Sequence, residues 1–253
     1  MIVLFAFIGL AVGSFLNLCI DRLPRGESII HPPSHCEACN ERLGFFDLVP
    51  VFSYIWLRGR CRYCGTALPK RLPIAELATG LIFALLFWKY GLSPQFVMGL
   101  VYASLLIIIF VIDLEHGLIL NKVVYPAMVL ALIFSSFWPG IGSFWPEIGV
   151  VNSLLGGAVA LGFILIPFLI YPGGIGGGDI KLATFGGLAT GFPQAFIAIF
   201  IGALGGGLVA LFLLISGIKG RREAIPFGPF LSVGIMAALL WGPVIVDWYL
   251  GFF

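Results

Sequence analysis

The stretch Leu105-Leu-Ile-Ile-Ile-Phe-Val-Ile-Asp113 runs through eight apolar residues and ends on a carboxylate, and it decides the class of fold. The rest of the chain is similarly apolar: of 253 residues, 60% are apolar and only 10% are charged, and the mean hydropathy is +1.09. Soluble domains carry about 25% charged residues, and a water-soluble chain of this length could not bury so much apolar surface. The sequence therefore predicts a polytopic integral membrane protein.

Apolar runs of this kind recur from one end of the chain to the other. They predict helices near 2–20, 74–90, 95–113, 122–138, 150–171, 180–191, 194–217 and 229–250. Most approach the roughly 20 residues that cross about 30 Å of hydrocarbon, whereas 180–191 is short. We expect an all-α bundle of about eight transmembrane helices, with 1–20 as the first transmembrane helix and 74–253 as a transmembrane domain.

The polar residues 21–73 form one island between these runs. The island holds eight of the 14 Lys and Arg residues, and Lys219, Arg221 and Arg222 form a second basic cluster. Because positively charged loops stay in the cytoplasm, we expect both segments there and both termini outside. The net charge of +2 is too small to indicate a nucleic-acid partner, so membrane lipid is the expected surroundings.

Four of the five cysteines form two pairs inside the polar island. They are Cys36-Glu-Ala-Cys39 and Cys61-Arg-Tyr-Cys64, separated by 21 residues. Each pair can present two thiolates to one tetrahedral Zn²⁺, and disulfides are disfavoured in the reducing cytoplasm. We predict a structural zinc site that stabilises residues 21–73 as a small loop domain, with a redox thiol site as the alternative. The fifth cysteine, Cys19, is expected to be a small buried apolar side chain.

Two aspartates lie at the predicted edges of the membrane. Asp113 ends its apolar run, and Asp179 follows Pro172-Gly-Gly-Ile-Gly-Gly-Gly178. Ionised carboxylates are costly at such depth and usually mark catalysis, proton relays or ion paths. Two carboxylates that share a site hold one proton between them, which is the arrangement that activates water for peptide hydrolysis. Helix capping by either aspartate, a glycine-rich phosphate loop and an ion-coupled transporter are the alternatives.

Several motifs resemble those of the bacterial type IV prepilin peptidases, a family of membrane aspartyl proteases with a GxGD motif. Gly176-Gly-Gly-Asp179 is similar to that motif, in a chain that also carries the tetracysteine island. Further similar segments are Gly13–Pro24, Pro33–Cys36, Asp47–Pro50, Ser53-Tyr54, Gly59–Arg62, Pro73–Glu76 and Pro226–Phe230. The chain departs from the family at Leu120-Asn121, where Pro-Asp is common, and we expect Asn121 to cap a helix there.

The resemblance implies a function and a location. It implies that Asp113 and Asp179 are the catalytic pair, and that the enzyme cuts leaders from prepilins or pseudopilins at the cytoplasmic face of the bacterial inner membrane. It also implies that the new N-terminus is methylated with S-adenosylmethionine, in service of a type IV pilus or type II secretion system. The methyltransferase region is expected in residues 21–76, with Glu76 as a candidate residue.

Overall fold

The chain is built from helices that begin and end close to the predicted apolar runs. The computed structural model describes residues 1–137, 149–170, 176–218, 220 and 225–251. Within them the helices are α1 (Ile2–Arg25), α2 (Phe52–Trp56), α3 (Arg71–Tyr90), α4 (Pro94–His116), α5 (Asn121–Phe137), α6 (Val150–Ile170), α7 (Gly177–Thr190), α8 (Gln194–Ile215) and α9 (Gly228–Leu250). The prediction of an all-α membrane fold is confirmed.

Six of the described helices are long and apolar enough to cross a membrane, and they are α1, α3, α4, α6, α8 and α9. The other two predicted helices are shorter, with 17 residues in α5 and 14 in α7. At 1.5 Å per residue, α7 is about 21 Å long. The protein is therefore a multi-pass membrane protein. The second basic cluster, Lys219, Arg221 and Arg222, and the first glycines of the run after Pro172 lie outside the described residues.

The chain divides into two compact units, Met1–Ile108 and Ile109–Phe253. In the first unit α1 packs closely against α3, and Cys19 is buried as expected. A Cβ on Gly9 would lie 2.7 Å from the Cα of Gly80, so neither position has room for a larger residue. Small residues at a membrane-helix interface allow this approach and the dispersion contacts that come with it.

The polar segment between α1 and α3 also belongs to the first unit. It contains a 3₁₀ turn at Phe45–Asp47 and the short helix α2, neither of which the apolar pattern predicts. Polar side chains join α1 to α3 at the base of this segment. Asn17 donates to the Leu72 carbonyl at 3.0 Å, and Asp21 forms an ion pair with Arg71. These contacts fix the two ends of the segment relative to each other.

The second unit surrounds α7 with other helices. α5, α6, α8 and α9 all pack against it, and its residues from Leu182 to Thr190 are buried apart from Thr184. Glycines again allow the closest crossings, at Gly156 with Gly187 and at Gly202 with Gly234. The Ser153 hydroxyl donates to the Leu188 carbonyl at 2.6 Å, which joins α6 to α7. These contacts fix the position of α7 from Leu182 to Thr190.

Candidate active site and metal centre

Asp179 lies in the first turn of α7, where the glycine run ends. Gly176 precedes the helix in an extended conformation, and its backbone N–H donates to Oδ2 of Asp179 at 3.1 Å. Asp179 is only 8% exposed. The helix begins at Gly177 rather than at the predicted residue 180, because the last two glycines join its first turn. The hydrogen bond uses one carboxylate oxygen and fixes the orientation of the carboxylate.

Asp113 occupies the opposite kind of position, in the last turn of α4. It is 5% exposed, and its backbone carbonyl accepts a hydrogen bond from Gly117 at 2.8 Å. A carboxylate near a helix C-terminus is disfavoured by the helix dipole and cannot act as an N-cap. Its Oδ2 atom has no hydrogen-bond partner among the described residues. A capping role therefore accounts in part for the presence of a carboxylate at Asp179. It does not account for the carboxylate at Asp113.

Two glycines and one isoleucine shape the space around the aspartates. A Cβ on Gly228, at the start of α9, would lie 2.6 Å from Oδ2 of Asp113. The backbone of Gly228 therefore lies directly against the Asp113 carboxylate. A Cβ on Gly178 would lie 2.8 Å from the Cβ of Ile119, and Ile119 in turn reaches Gly228. The starts of α7 and α9 and the segment after α4 therefore converge on one point.

The two aspartates lie near this point, although 66 residues separate them in sequence. Asp113 acts electrostatically on Asp179, and both carboxylates are buried. Such a pair holds a single proton more readily than two charges, so one member can accept a proton while the other donates one. The arrangement can perform general acid–base chemistry on water and a carbonyl.

Asn121, expected to cap α5, is instead its first residue. Its side-chain oxygen accepts a hydrogen bond from Lys181 Nζ at 2.8 Å, and the same ammonium lies 5.6 Å from the centre of the Tyr125 ring. Lys181 thus connects α7 to α5 two residues beyond Asp179. Asn121, which departs from the family pattern, therefore makes a side-chain contact between α5 and α7.

The four paired cysteines meet in the loop domain. Their sulfur atoms all lie within 4.8 Å of one another, and Cys36 and Cys64 are 3.8 Å apart. A tetrahedron of sulfurs at about 2.3 Å from Zn²⁺ has edges of about 3.8 Å, so the cluster fits a four-thiolate metal site. All four are free thiols, which leaves them available as ligands. His35 is outside the cluster, and its Nδ1 lies 3.1 Å from the Pro33 carbonyl.

The two cysteine pairs have the same backbone pattern, 25 residues apart. The Cys36 N–H donates to Glu41 and the Cys61 N–H donates to Thr66, at 2.9 and 2.8 Å. Isolated bridges join His35 to Arg42 and Arg60 to Ala67 in the two copies. No internal repeat is evident in the sequence, because the repeated element consists of backbone hydrogen bonds rather than of side chains. The loop domain is therefore built from two equivalent knuckles.

The close packing of these thiols gives them unequal pKa values. Hydrogen bonds with the Thr66 side chain and backbone lower the pKa of Cys64 to about 6. For Cys39, a backbone hydrogen bond from Glu41 lowers the pKa. Burial and the hydrogen bonds with the neighbouring thiols together raise it by more, so the pKa is about 11. Four thiolates this close repel one another unless a cation lies between them. The donor set and its geometry both suit a soft divalent metal ion.

Some residues near the candidate sites were not singled out by charge or motif spacing. Gly228 lies within Pro226–Phe230, a segment noted only for its resemblance, and Ile119 carries no sequence signal. Glu76, the candidate methyltransferase residue, is buried in α3 and accepts a hydrogen bond from the Val51 N–H at 2.7 Å. His116 and Glu115, which follow Asp113, are exposed.

Comparison with known families identifies both halves of the chain. Residues 7–90 match the family described as "Bacterial Peptidase A24 N-terminal domain", and residues 100–211 match "Type IV leader peptidase family". No solved structure matches the chain.

Curated relatives match over nearly the full length. A protein of Bacillus subtilis (strain 168) named "Prepilin leader peptidase/N-methyltransferase" is 33% identical, covering 98% of this chain and 97% of the relative. Proteins with the same name from Stutzerimonas stutzeri and Pseudomonas aeruginosa are 30% and 29% identical, each over 97% of this chain and 92% of the relative. The chain is a membrane enzyme that belongs to the type IV leader peptidase family of aspartic peptidases.

Proposed function

We propose that this enzyme removes the leader peptide from a type IV prepilin or pseudopilin, with Asp113 and Asp179 as its catalytic pair. The observation that carries the proposal is the convergence of two buried aspartates from separate helix ends. The names of the curated relatives, which specify prepilin leader peptidase activity, support the choice of substrate.

The proposed reaction uses one proton shared between the carboxylates. The ionised aspartate takes a proton from water while the protonated one donates to the scissile carbonyl oxygen. Water oxygen bonds to the carbonyl carbon, and the resulting gem-diol breaks its C–N bond as a proton passes to the leaving amine. The Oδ2 atom of Asp113 is buried and has no hydrogen-bond partner among the described residues, so it remains a free acceptor for a water or substrate group that enters the site.

The loop domain has a separate proposed role. We assign it to residues 21–73, between a first transmembrane helix at 1–20 and a protease domain at 74–253. Zn²⁺, when bound by Cys36, Cys39, Cys61 and Cys64, would supply folding energy without taking part in peptide hydrolysis. Methylation of the new N-terminus with S-adenosylmethionine is proposed for this region from the names of the relatives. The polar region would face the cytoplasm of a bacterial inner membrane.

Cleavage and methylation can be tested together on purified enzyme in lipid vesicles. The enzyme is incubated with a prepilin, with and without S-adenosylmethionine, and the product N-termini are read by mass spectrometry. We expect leader loss in both reactions and one added methyl group only with the donor. An uncut prepilin under conditions where the enzyme stays folded contradicts the peptidase proposal, and a cut but unmethylated product contradicts the methyltransferase proposal alone.

Orientation can be tested with two lysines at opposite ends of α3. Lys70 directly precedes this helix, and Lys89 lies in its last turn. A membrane-impermeant amine reagent, added to intact cells and to inside-out vesicles, should label Lys89 only in the cells and Lys70 only in the vesicles. Labelling of Lys70 from outside intact cells reverses the proposed topology.

A further inference from the structure

The loop domain carries a cluster of large apolar side chains on its surface. Its members, defined here as the aromatic face, are each 62–83% exposed: Phe45, Phe46, Phe52, Ile55 and Trp56. Phe46, Phe52 and Trp56 line one shallow cleft, and the rings of Phe45 and Phe46 are 5.9 Å apart. Contiguous exposed apolar surface of this kind marks a binding surface for protein or membrane.

A partly buried hydrogen bond places this face beside a membrane helix. The N–H of Val51, the residue before α2, donates to Glu76 Oε2 at 2.7 Å. Glu76 lies five residues beyond the start of α3 at Arg71, which is about 7.5 Å along the helix axis. α3 is long and apolar enough to cross a bilayer, so Glu76 lies within the interfacial layer of the membrane. The start of α2, which is next to Glu76, therefore lies at the same depth.

The backbone at this contact is held in an unusual conformation. Val51 has φ 62° and ψ −48°, in the left-handed half of conformational space that β-branched residues rarely enter. Glu76, which is 7% exposed, accepts the N–H that this conformation presents. Backbone strain maintained by a buried partner indicates that the direction of the following segment matters to the molecule. That segment is α2, which carries three residues of the aromatic face.

Positive charge lies immediately after the aromatic face. Arg58 and Arg60 are exposed, while Arg62 is paired with Asp47 at 2.7 Å. Aromatic rings next to basic side chains suit the interfacial layer of a bilayer, where rings lie among the headgroups and arginines meet lipid phosphates. The domain is also joined to α1 at one end and α3 at the other, so it cannot move far from the membrane.

We propose that the aromatic face docks into the headgroup and upper acyl region of the leaflet at the N-terminal end of α3, with Arg58 and Arg60 directed to anionic lipid phosphates. The bilayer is then a structural partner of the loop domain, and the Val51–Glu76 hydrogen bond sets the angle at which α2 enters it. This inference depends on α1 and α3 crossing the membrane and holds whatever substrate the enzyme cuts.

Fluorine NMR of the intact enzyme in vesicles tests the proposal. All six tryptophans are labelled with 5-fluorotryptophan, and the signals of Trp56 and Trp88 are assigned by their loss in Trp56→Phe and Trp88→Phe. Nitroxide-labelled lipids and a water-soluble gadolinium chelate are then added in turn. We expect headgroup and upper-acyl nitroxides to broaden the Trp56 signal and the chelate to leave it largely intact, more so in vesicles with anionic lipid.

Trp88, near the far end of α3, is the internal reference for a membrane helix. A Trp56 signal that the chelate removes, and that lipid nitroxides do not affect, overturns the proposal. Protection of Trp56 that appears only when a prepilin peptide is added also overturns it and makes the aromatic face a peptide-binding surface. Leader cleavage measured on the same vesicles is a separate readout, so loss of activity is not confused with loss of docking.

Discussion

The cysteine cluster and the aspartate pair are assembled in opposite ways. The cysteines come from two knuckles, each closed by hydrogen bonds among neighbouring residues, and two of the four are exposed. The aspartates come from the end of α4 and the start of α7, and both are buried. If a metal ion binds the cysteines, it would hold the two knuckles together, whereas the aspartate site depends on helix packing. Perturbations should therefore affect the two sites independently.

The largest expected effect comes from the aspartates themselves. Asp113→Asn or Asp179→Asn should each reduce leader cleavage by at least about 10³-fold, because an amide cannot exchange the proton that the reaction needs. The double variant should lose little more than either single one, since the two act as a unit. Cleavage rates are measured on a prepilin, alongside methylation of a pilin that has already been cut. Near-normal cleavage by Asp113→Asn would show that Asp113 is not catalytic.

Removal of one cysteine should have the complementary effect. Cys61→Ser should reduce the metal content from one ion per chain to none. It should also remove most of the folding free energy that structural zinc supplies in small domains, which is roughly 10 kcal/mol. Elemental analysis and limited proteolysis of residues 21–73 measure the loss. Cys19→Ser is the matched control, because Cys19 is buried in α1 and outside the cluster. A metal-free wild type with an intact loop domain contradicts the zinc assignment.

Neighbouring glycines allow a sharper test of the aspartate site. Gly178→Ala should lower cleavage by about 10²-fold, because its Cβ would meet Ile119 at 2.8 Å and displace groups that must be positioned within about 1 Å. Gly177→Ala should be close to wild type, since nothing lies within 4 Å of the added Cβ. The KM and kcat of both variants are compared on one prepilin. Equal losses in the two variants would mean that the glycine run acts through flexibility rather than close packing.

The smallest expected effect is at the contact between α5 and α7. Asn121→Ala removes the acceptor for Lys181 and should destabilise the protein by less than about 1 kcal/mol, because the pair is solvent-exposed. Asn121→Asp should be neutral or stabilising by a few tenths of a kcal/mol, since it places a charge opposite the ammonium. Thermal unfolding in detergent measures both, with the adjacent Lys122→Ala as control. A large loss of cleavage in Asn121→Ala would give this contact a catalytic role.

The helices were predictable because hydrophobicity alone determines where membrane helices lie. Eight apolar runs became eight helices. The largest boundary error was at α1, which continues to Arg25 instead of ending near residue 20, and α7 begins three residues early because Gly177 and Gly178 join its first turn. The aspartates could be selected because a carboxylate at membrane depth is costly. Their meeting, and the part that Gly228 and Ile119 have in it, depends on which helices pack together, and one sequence does not contain that information.

The loop domain was less predictable for a different reason. Cysteine spacing identified the four cysteines that come together as candidate metal ligands, but the repeat between the knuckles lies in backbone hydrogen bonds that many sequences can form. Val51, the residue before α2, adopts a conformation that favours glycine, so residue preference argues against the structure that forms. The buried partner Glu76, 25 residues away, overrides that preference.

The short length of α7 bears on hydrophobic mismatch. Asn152 of α6 and Phe192, just beyond α7, are joined by two hydrogen bonds, so the two helices can be measured from a common level. From there α6 continues to Ile170, about 27 Å away, whereas α7 reaches Gly177 after about 20 Å. Asp179 is therefore set back by more than one helical turn from the end of α6. Other helices cover most of α7, so its length need not match the bilayer. A thicker membrane should place the aspartates deeper below its surface, which makes bilayer thickness a determinant of hydration at the aspartates.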